Sequence, residues 1–204
     1  DYVYKSTGMK VDIGRFRLSF PLDVSLEKVL VLDQHADTMV RAEKVIADVK
    51  ILPLLKLDVR LKKLSLEEGY YRMVSPDSSM IMSVAAGLLN VDDKSFANMA
   101  TGEISLNKAL LRNGNLKLYM NVWKQKPTPK DSSSSTPFLI KANDLKLENF
   151  SFAMSMLPTI DTLYLNARDI NLKQGVVDLG KNKVSWKLAS VADGSGAYYT
   201  PTPE

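Results

Sequence analysis

The chain has 204 residues, 45% hydrophobic and 25% charged, with 27 Lys and Arg against 23 Asp and Glu, no cysteine and one histidine. That hydrophobic content suits one folded unit, while the missing thiols exclude disulfide scaffolds, thiol nucleophiles, iron–sulfur clusters and cysteine-rich zinc sites. With His35 alone a multi-histidine metal site cannot be built, and the net charge of +4 lacks the basic blocks of a nucleic-acid binder.

Residues 1–5 have neither the basic head nor the apolar middle of a signal peptide. Residues before Gly8 read as the end of a short helix capped by that glycine. From Met9 to Phe20, apolar Val11, Ile13, Phe16 and Leu18 alternate with polar residues, with one slip at Gly14, which predicts a strand with a bulge. The run from Leu32 to Thr38 offers Asp33, His35 and Asp37 as metal ligands on one side of an extended segment, but its composition favours a solvent-exposed turn. Val45, Ala47 and Val49 alternate, as do Leu57, Val59 and Leu61, with Ile51 to Leu55 as one helical turn between them. Residues 80–91, the longest apolar stretch, are about half of the ~20 residues a membrane-spanning helix needs. Asp92-Asp93 reads as a turn, and Asn113-Gly114 as a hairpin joining a strand around 104–111 to one around 116–122.

Residues 125–137, QKPTPKDSSSSTP, form a Pro/Ser-rich loop that projects into solvent without dividing the domain. Alternation returns at 150–156 and again at 184–188. The pattern predicts an all-β fold over residues 1–204, an elongated, curled sheet of mostly antiparallel meander strands with one or two short helical turns. A loose repeat runs through it, around Leu26, Leu66, Leu106, Leu147 and Leu172. Each leucine follows an apolar residue two places earlier and precedes, by three places, Val29, Gly69, Ala109, Phe150 or Gly175. Such units predict a strand, a bend and a return strand, stacked along an extended sheet.

Residues 45–73, VIADVKILPLLKLDVRLKKLSLEEGYYRM, resemble the AsmA-like/TamB family of Gram-negative bacteria, with a strand, a leucine-proline turn, a basic strand and a leucine strand ending in a small residue. Upstream, STGMKV at 6–11 and Pro21-Leu22 before DVSLEKVLVLD are similar to the start of that domain. Asp37-Thr38, YMNVWKQKPTP and SMLPTIDTL are similar to Bacteroidetes members. The resemblance implies an N-terminal, membrane-proximal segment of a long β-trough in the periplasm. An inner-membrane anchor would precede it, and a remainder outside this chain would reach an outer-membrane barrel partner, TamA. It also implies phospholipid transport toward the outer membrane, with membership of a translocation and assembly module as the alternative.

An open sheet with one apolar face can shield acyl chains, and the residues expected to line it are Val24 and Leu26, Leu64 and Leu66, Met80 and Met82, Ile104, Leu106 and Met120, Leu145, Leu147, Phe152 and Met154, and Ile170 and Leu172. The methionines suit chains of variable shape and equally suit ordinary core filling. Lys124, Lys126 and Lys130 are offered as head-group contacts, against the simpler reading of a solvated loop. Trp123 is a possible interfacial anchor, whereas Trp186 reads as core. No catalytic residue, metal or cofactor is expected. Glu67 and Glu68 would point to opposite faces of a strand and make no acid pair. The competing function is a module that receives client strands at its sheet edges.

Overall fold

The computed structural model describes residues 9–19, 23–49, 58–75, 77–92, 94–98, 101, 103–121, 123, 139–157, 159, 161–178 and 183–200. Their period-two patterning folds as ten strands: β1 (Lys10–Ser19), β2 (Asp23–Leu32), β3 (Thr38–Val49), β4 (Asp58–Val74), β5 (Met80–Val91), β6 (Phe96–Asn98), β7 (Glu103–Asn121), β8 (Leu139–Leu157), β9 (Asp161–Asp178) and β10 (Lys183–Tyr199). They make one sheet in the order β1-β2-β3-β4-β5-β7-β8-β9-β10, with β6 seated between β4 and β7 beyond the end of β5. Every neighbouring pair is antiparallel except β7 and β8, which run parallel. The all-β, open, curled sheet anticipated from the alternation is what forms. The two helical turns, before Gly8 and at Ile51 to Leu55, and the Pro/Ser loop at 125–137 fall outside the described residues.

The hairpin expected at Asn113-Gly114 does not form. β7 runs unbroken from Glu103 to Asn121 with Asn113 at φ 51° inside it. A two-residue type I′ turn needs positive φ at both central residues. Here Gly114 stays out of the left-handed region and the chain kinks instead of reversing. Pairing with β5 and β8 on either side of this position holds the strand straight on.

Asn113 belongs to a line of such kinks crossing the whole sheet. Lys28 (φ 54°), Glu68 (φ 48°), Asn149 (φ 50°) and Asp193 (φ 49°) are also left-handed. The pairs flanking them keep one register, as with Ile13↔Val29 and Arg15↔Glu27, or Glu67↔Leu88 and Gly69↔Ala86. No residue is inserted, so the bulge expected at Gly14 is instead the point where β1 crosses this line opposite Lys28. A left-handed residue shifts the alternation of side chains by one, so that positions i and i+3 share a face where i and i+2 ordinarily would. Leu66 therefore lies over Gly69, and Leu111 over Gly114.

A second line crosses β7 to β9 nearer the other end of the strands. Gln174 is left-handed there (φ 52°), and Asn143 Nδ2 donates to Asn107 Oδ1 at 3.3 Å between the parallel strands. Its counterpart on the first line is Asn149 Nδ2 to Asn113 Oδ1 at 3.2 Å, so both bonds link residues 36 apart. In β5 and β6 the same height is occupied by an excursion held by Asp92. Its carboxylate accepts from Asn107 Nδ2 (2.6 Å), Lys108 N (3.1 Å) and Ser95 Oγ (3.1 Å). The turn expected at Asp92 is thus present and carries the break between β5 and β6.

Burial pushes the Asp92 carboxyl up, but the Asn107 amide, the Lys108 N–H, the Ser95 hydroxyl and the Lys94 N–H outweigh it and hold the group below the ordinary aspartate value. The stability it contributes is therefore complete above the ordinary aspartate pKa of about 3.9 and is lost as pH falls through the lower folded value. Asp92→Ala is expected to cost about 2–3 kcal/mol near neutrality, read as a shift in the urea midpoint at unchanged slope, and the gap from the parent chain should narrow below pH ~3.9.

The leucine repeat has a local meaning rather than a structural period. Leu26, Leu66 and Leu147 stand before the first line of kinks, and in β7 that place belongs to Leu111, which pairs with both Leu89 and Leu147. Leu106 and Leu172 instead flank the second line, one residue before Asn107 and two before Gln174. What repeats is the sequence needed to cross a kink, and the return strand expected after each bend is the continuation of the same strand.

Candidate functional site

Cross-strand partners share a face, and following them from strand to strand yields unbroken apolar rows. The row beside the first line of kinks is Phe16, Leu26, Val45, Leu66, Leu89, Leu111, Leu147, Ile170 and Val191. It spans eight strand spacings, about 38 Å. The next row contains Leu18, Val24, Ala47, Leu64, Val91, Ala109, Leu145 and Leu172. Across the kinks lie the small residues Gly69, Ala86, Gly114, Ala167 and Gly194, with Phe150 among them. Beyond these come Tyr71, Val84, Leu116, Phe152 and Leu165, then Met73, Met82, Leu118, Met154 and Leu163, and finally Met80, Met120 and Met156. Past the second line, Leu106, Ala142, Gly175 and Trp186 form one row and Ile104, Ile140 and Val177 another. Within these rows the one charged side chain is Asp161, opposite Met156 at the methionine end.

Every residue expected from the sequence to line a groove stands on this one face: Val24, Leu26, Leu64, Leu66, Met80, Met82, Ile104, Leu106, Met120, Leu145, Leu147, Phe152, Met154, Ile170 and Leu172. Sequence reasoning missed Leu89, Leu111, Leu116, Phe150 and Leu165, because a fixed two-residue period loses the face at each kink. The signal that finds them is a three-residue step ending in a small or apolar residue.

The kinks also bring side chains over the glycines. A β-carbon on Gly69 would fall 2.0 Å from Leu66 Cδ2, and one on Gly114 would fall 2.1 Å from Leu111 Cδ2 and 2.6 Å from Phe150 Cδ2. Leu66 and Leu111 thus fold over the glycines on the apolar side. Toward β10 this face holds a hollow of about 540 Å³ among Leu147, Phe150, Phe152, Leu165, Ile170, Leu172 and Val191, while a larger one of about 980 Å³ lies on the ionic face among Lys63, Asp92, Lys108, Arg112, Lys146 and Glu148.

Among the described residues no second layer covers this face. Only seven hydrophobic side chains among the described residues are buried, five of them alanines. Leu165 and Val191, at the hollow, remain 44% and 62% exposed. A sheet face this apolar is ordinarily packed against another layer, and a contiguous exposed patch marks a place that binds something.

The opposite face is ionic. Arg112 pairs with Glu148, Lys146 Nζ lies 2.6 Å from the same carboxylate, and Arg168 bridges Asp169 (3.0 Å) and Asp193. The Lys146 ammonium, together with the Arg112 guanidinium, holds the Glu148 carboxyl below its ordinary value. Lys44 and Glu67 pair at 3.9 Å on β3 and β4, while Glu68 occupies the kink.

The remaining sequence candidates resolve locally. His35 is an exposed turn residue: the Asp33 carboxylate accepts from the His35 and Asp37 amides at 2.8 and 2.9 Å, and Asp37 is ion-paired to Arg72 at 3.0 Å. The Asp37 amide is the main cause that keeps the Asp33 carboxyl below its ordinary value. Trp186 belongs to the apolar face, its ring over Gly175, whereas Trp123 is 81% exposed. Lys124, Lys126 and Lys130 lie outside the described residues. No protein-family model, no curated protein and no solved structure matches the chain.

Proposed function

We propose that the chain is a non-enzymatic β-trough segment that shields phospholipid acyl chains in transit between the inner and outer membranes of a Gram-negative bacterium. The observation that carries this reading is the apolar face, broken by a charge only at Asp161 at the methionine end, that continues across the sheet from β1 to β10 with no covering layer among the described residues. A row of about 38 Å exceeds twice the ~15 Å that one leaflet contributes to a hydrocarbon core, so a chain lying along it is covered end to end. At about 0.8 kcal/mol per methylene, ten methylenes withdrawn from water gain about 8 kcal/mol. Met73, Met82, Met154, Met80, Met120 and Met156 gather at one end of the strands, where unbranched thioethers adapt to tails of different shape.

The resemblance to AsmA-like/TamB proteins supports a periplasmic place for the segment, an inner-membrane anchor, and a barrel partner of the TamA kind reached through regions outside this chain. Head groups would stay in water at the rim of the trough. A second reading, capture of client strands during outer-membrane protein assembly, is favoured by the edges of β1 and β10, which no other described strand covers. Incubating the delipidated chain with phosphatidylethanolamine vesicles, or with an unfolded barrel peptide, and recording native mass spectra separates them. Phospholipid adducts are expected. A chain that takes up the peptide and no phospholipid would contradict the conduit.

A further inference from the structure

The two edges of the sheet are complementary to one another. Along the first line of kinks, antiparallel neighbours alternate: left-handed Lys28, Glu68 and Asp193 face Gly14, Glu43, Gly87 and Arg168, none of which is left-handed. The parallel strands β7 and β8 match instead, with Asn113 beside Asn149. The sheet thus begins on a residue of one kind, Gly14, and ends on the other, Asp193. The next antiparallel strand beyond β10 would need a residue that is not left-handed at this height.

Glu43 and Arg168 fill such places as well as Gly14 and Gly87, and at the two glycines the approach of the left-handed neighbour is close. A β-carbon on Gly14 would lie 3.0 Å from Lys28 Cβ, and one on Gly87 would lie 3.2 Å from Asn113 Cβ. On the apolar side, β10 presents Gly194 and Gly196, which have no side chains, at the border of the hollow. β1 presents Ile13 and Val11 at the corresponding places, 40% and 44% exposed. On the ionic side Arg15 would stand next to Asp193, whose carboxylate is exposed at the edge.

We propose that β1 of a second copy of this chain adds to β10 as an antiparallel strand, with Gly14 opposite Asp193, Ile13 over Gly194 and Val11 over Gly196. The contact is heterologous, so copies add head to tail and the apolar rows run from one copy into the next. A ten-residue edge is about 34 Å long and about 10 Å deep, so pairing covers roughly 700 Å² in total. That is below the ~1,200 Å² of a stable interface, and the association is weak and concentration-dependent. It stands apart from the acyl-chain reading and has its own readout.

The absence of cysteine makes the register directly testable. In this pairing Arg17 faces Ser190, and the two lie on opposite edges of a single copy. Single-site variants Arg17→Cys and Ser190→Cys are mixed at high concentration, oxidised, and their dimers resolved by mass. The mixed disulfide is expected to exceed its statistical half-share several-fold, whereas Arg17→Cys with Ala189→Cys, shifted by one residue and hence to the other face, should give the statistical mixture. Statistical proportions in both mixtures, or a dominant Ser190→Cys homodimer, would overturn the proposal.

Discussion

A Val191→Asp variant is expected to bind phospholipid roughly thirtyfold more weakly than the parent chain, from a cost of about 2 kcal/mol for a carboxylate set against acyl chains. Val191 borders the hollow and is 62% exposed, so the substitution should leave folding stability within about 0.5 kcal/mol. The control is Leu188→Asp, in the same strand and 53% exposed, but paired with Lys173 on the ionic face. Titrating both variants with short-chain phospholipid below its micelle concentration, followed by native mass spectrometry, reads the difference. Loss from Val191→Asp with binding intact in Leu188→Asp supports the trough; equal loss from both would assign the uptake to general surface hydrophobicity.

The second large effect concerns the kink. Gly114→Ala is expected to destabilise the chain by about 2–3 kcal/mol, more than one added methyl group costs at most sites. The new β-carbon would stand 2.1 Å from Leu111 Cδ2 and 2.6 Å from Phe150 Cδ2. Gly194→Ala, at the same height in β10, meets only Val191 Cγ1 at 3.2 Å and Asn166 O at 3.6 Å and should cost far less. Because Leu111 is the obstruction, Leu111→Ala and Gly114→Ala together should be less costly than the sum of the two by about 1 kcal/mol or more. Urea unfolding of the four chains measures this. Strict additivity would mean that Leu111 does not fold back over Gly114.

Fold class was legible because alternation is written strand by strand, in β4, β8 and β9 most plainly. The residues that share the apolar face were legible for the same reason on each side of a kink. The kinks themselves were not. Gly14 and Asn113-Gly114 carried the usual marks of a bulge and a turn, and both marks report only that the backbone can leave the standard β region. Whether the chain then reverses depends on the neighbouring strands, which come from distant sequence: β8 lies 36 residues further on, in parallel register. The five leucine motifs likewise reported a local step, and their spacings of 40, 40, 41 and 25 residues mixed two different lines of kinks. The ionic lattice around Glu148 was only partly legible: Lys146 precedes it by two residues on β8, but Arg112 reaches it from β7, and Asp169, paired to Lys146, comes from β9.

Tyr164 and Leu165 adjoin in β9, are 46% and 44% exposed, and face opposite sides of the sheet. A photoreactive phenylalanine analogue placed at one or the other position, irradiated in cells producing the chain, tests the central claim most directly. Phospholipid adducts at position 165 with few or none at 164 are the predicted result. Equal labelling at the two positions, or protein adducts without lipid at 165, would contradict an acyl-chain trough.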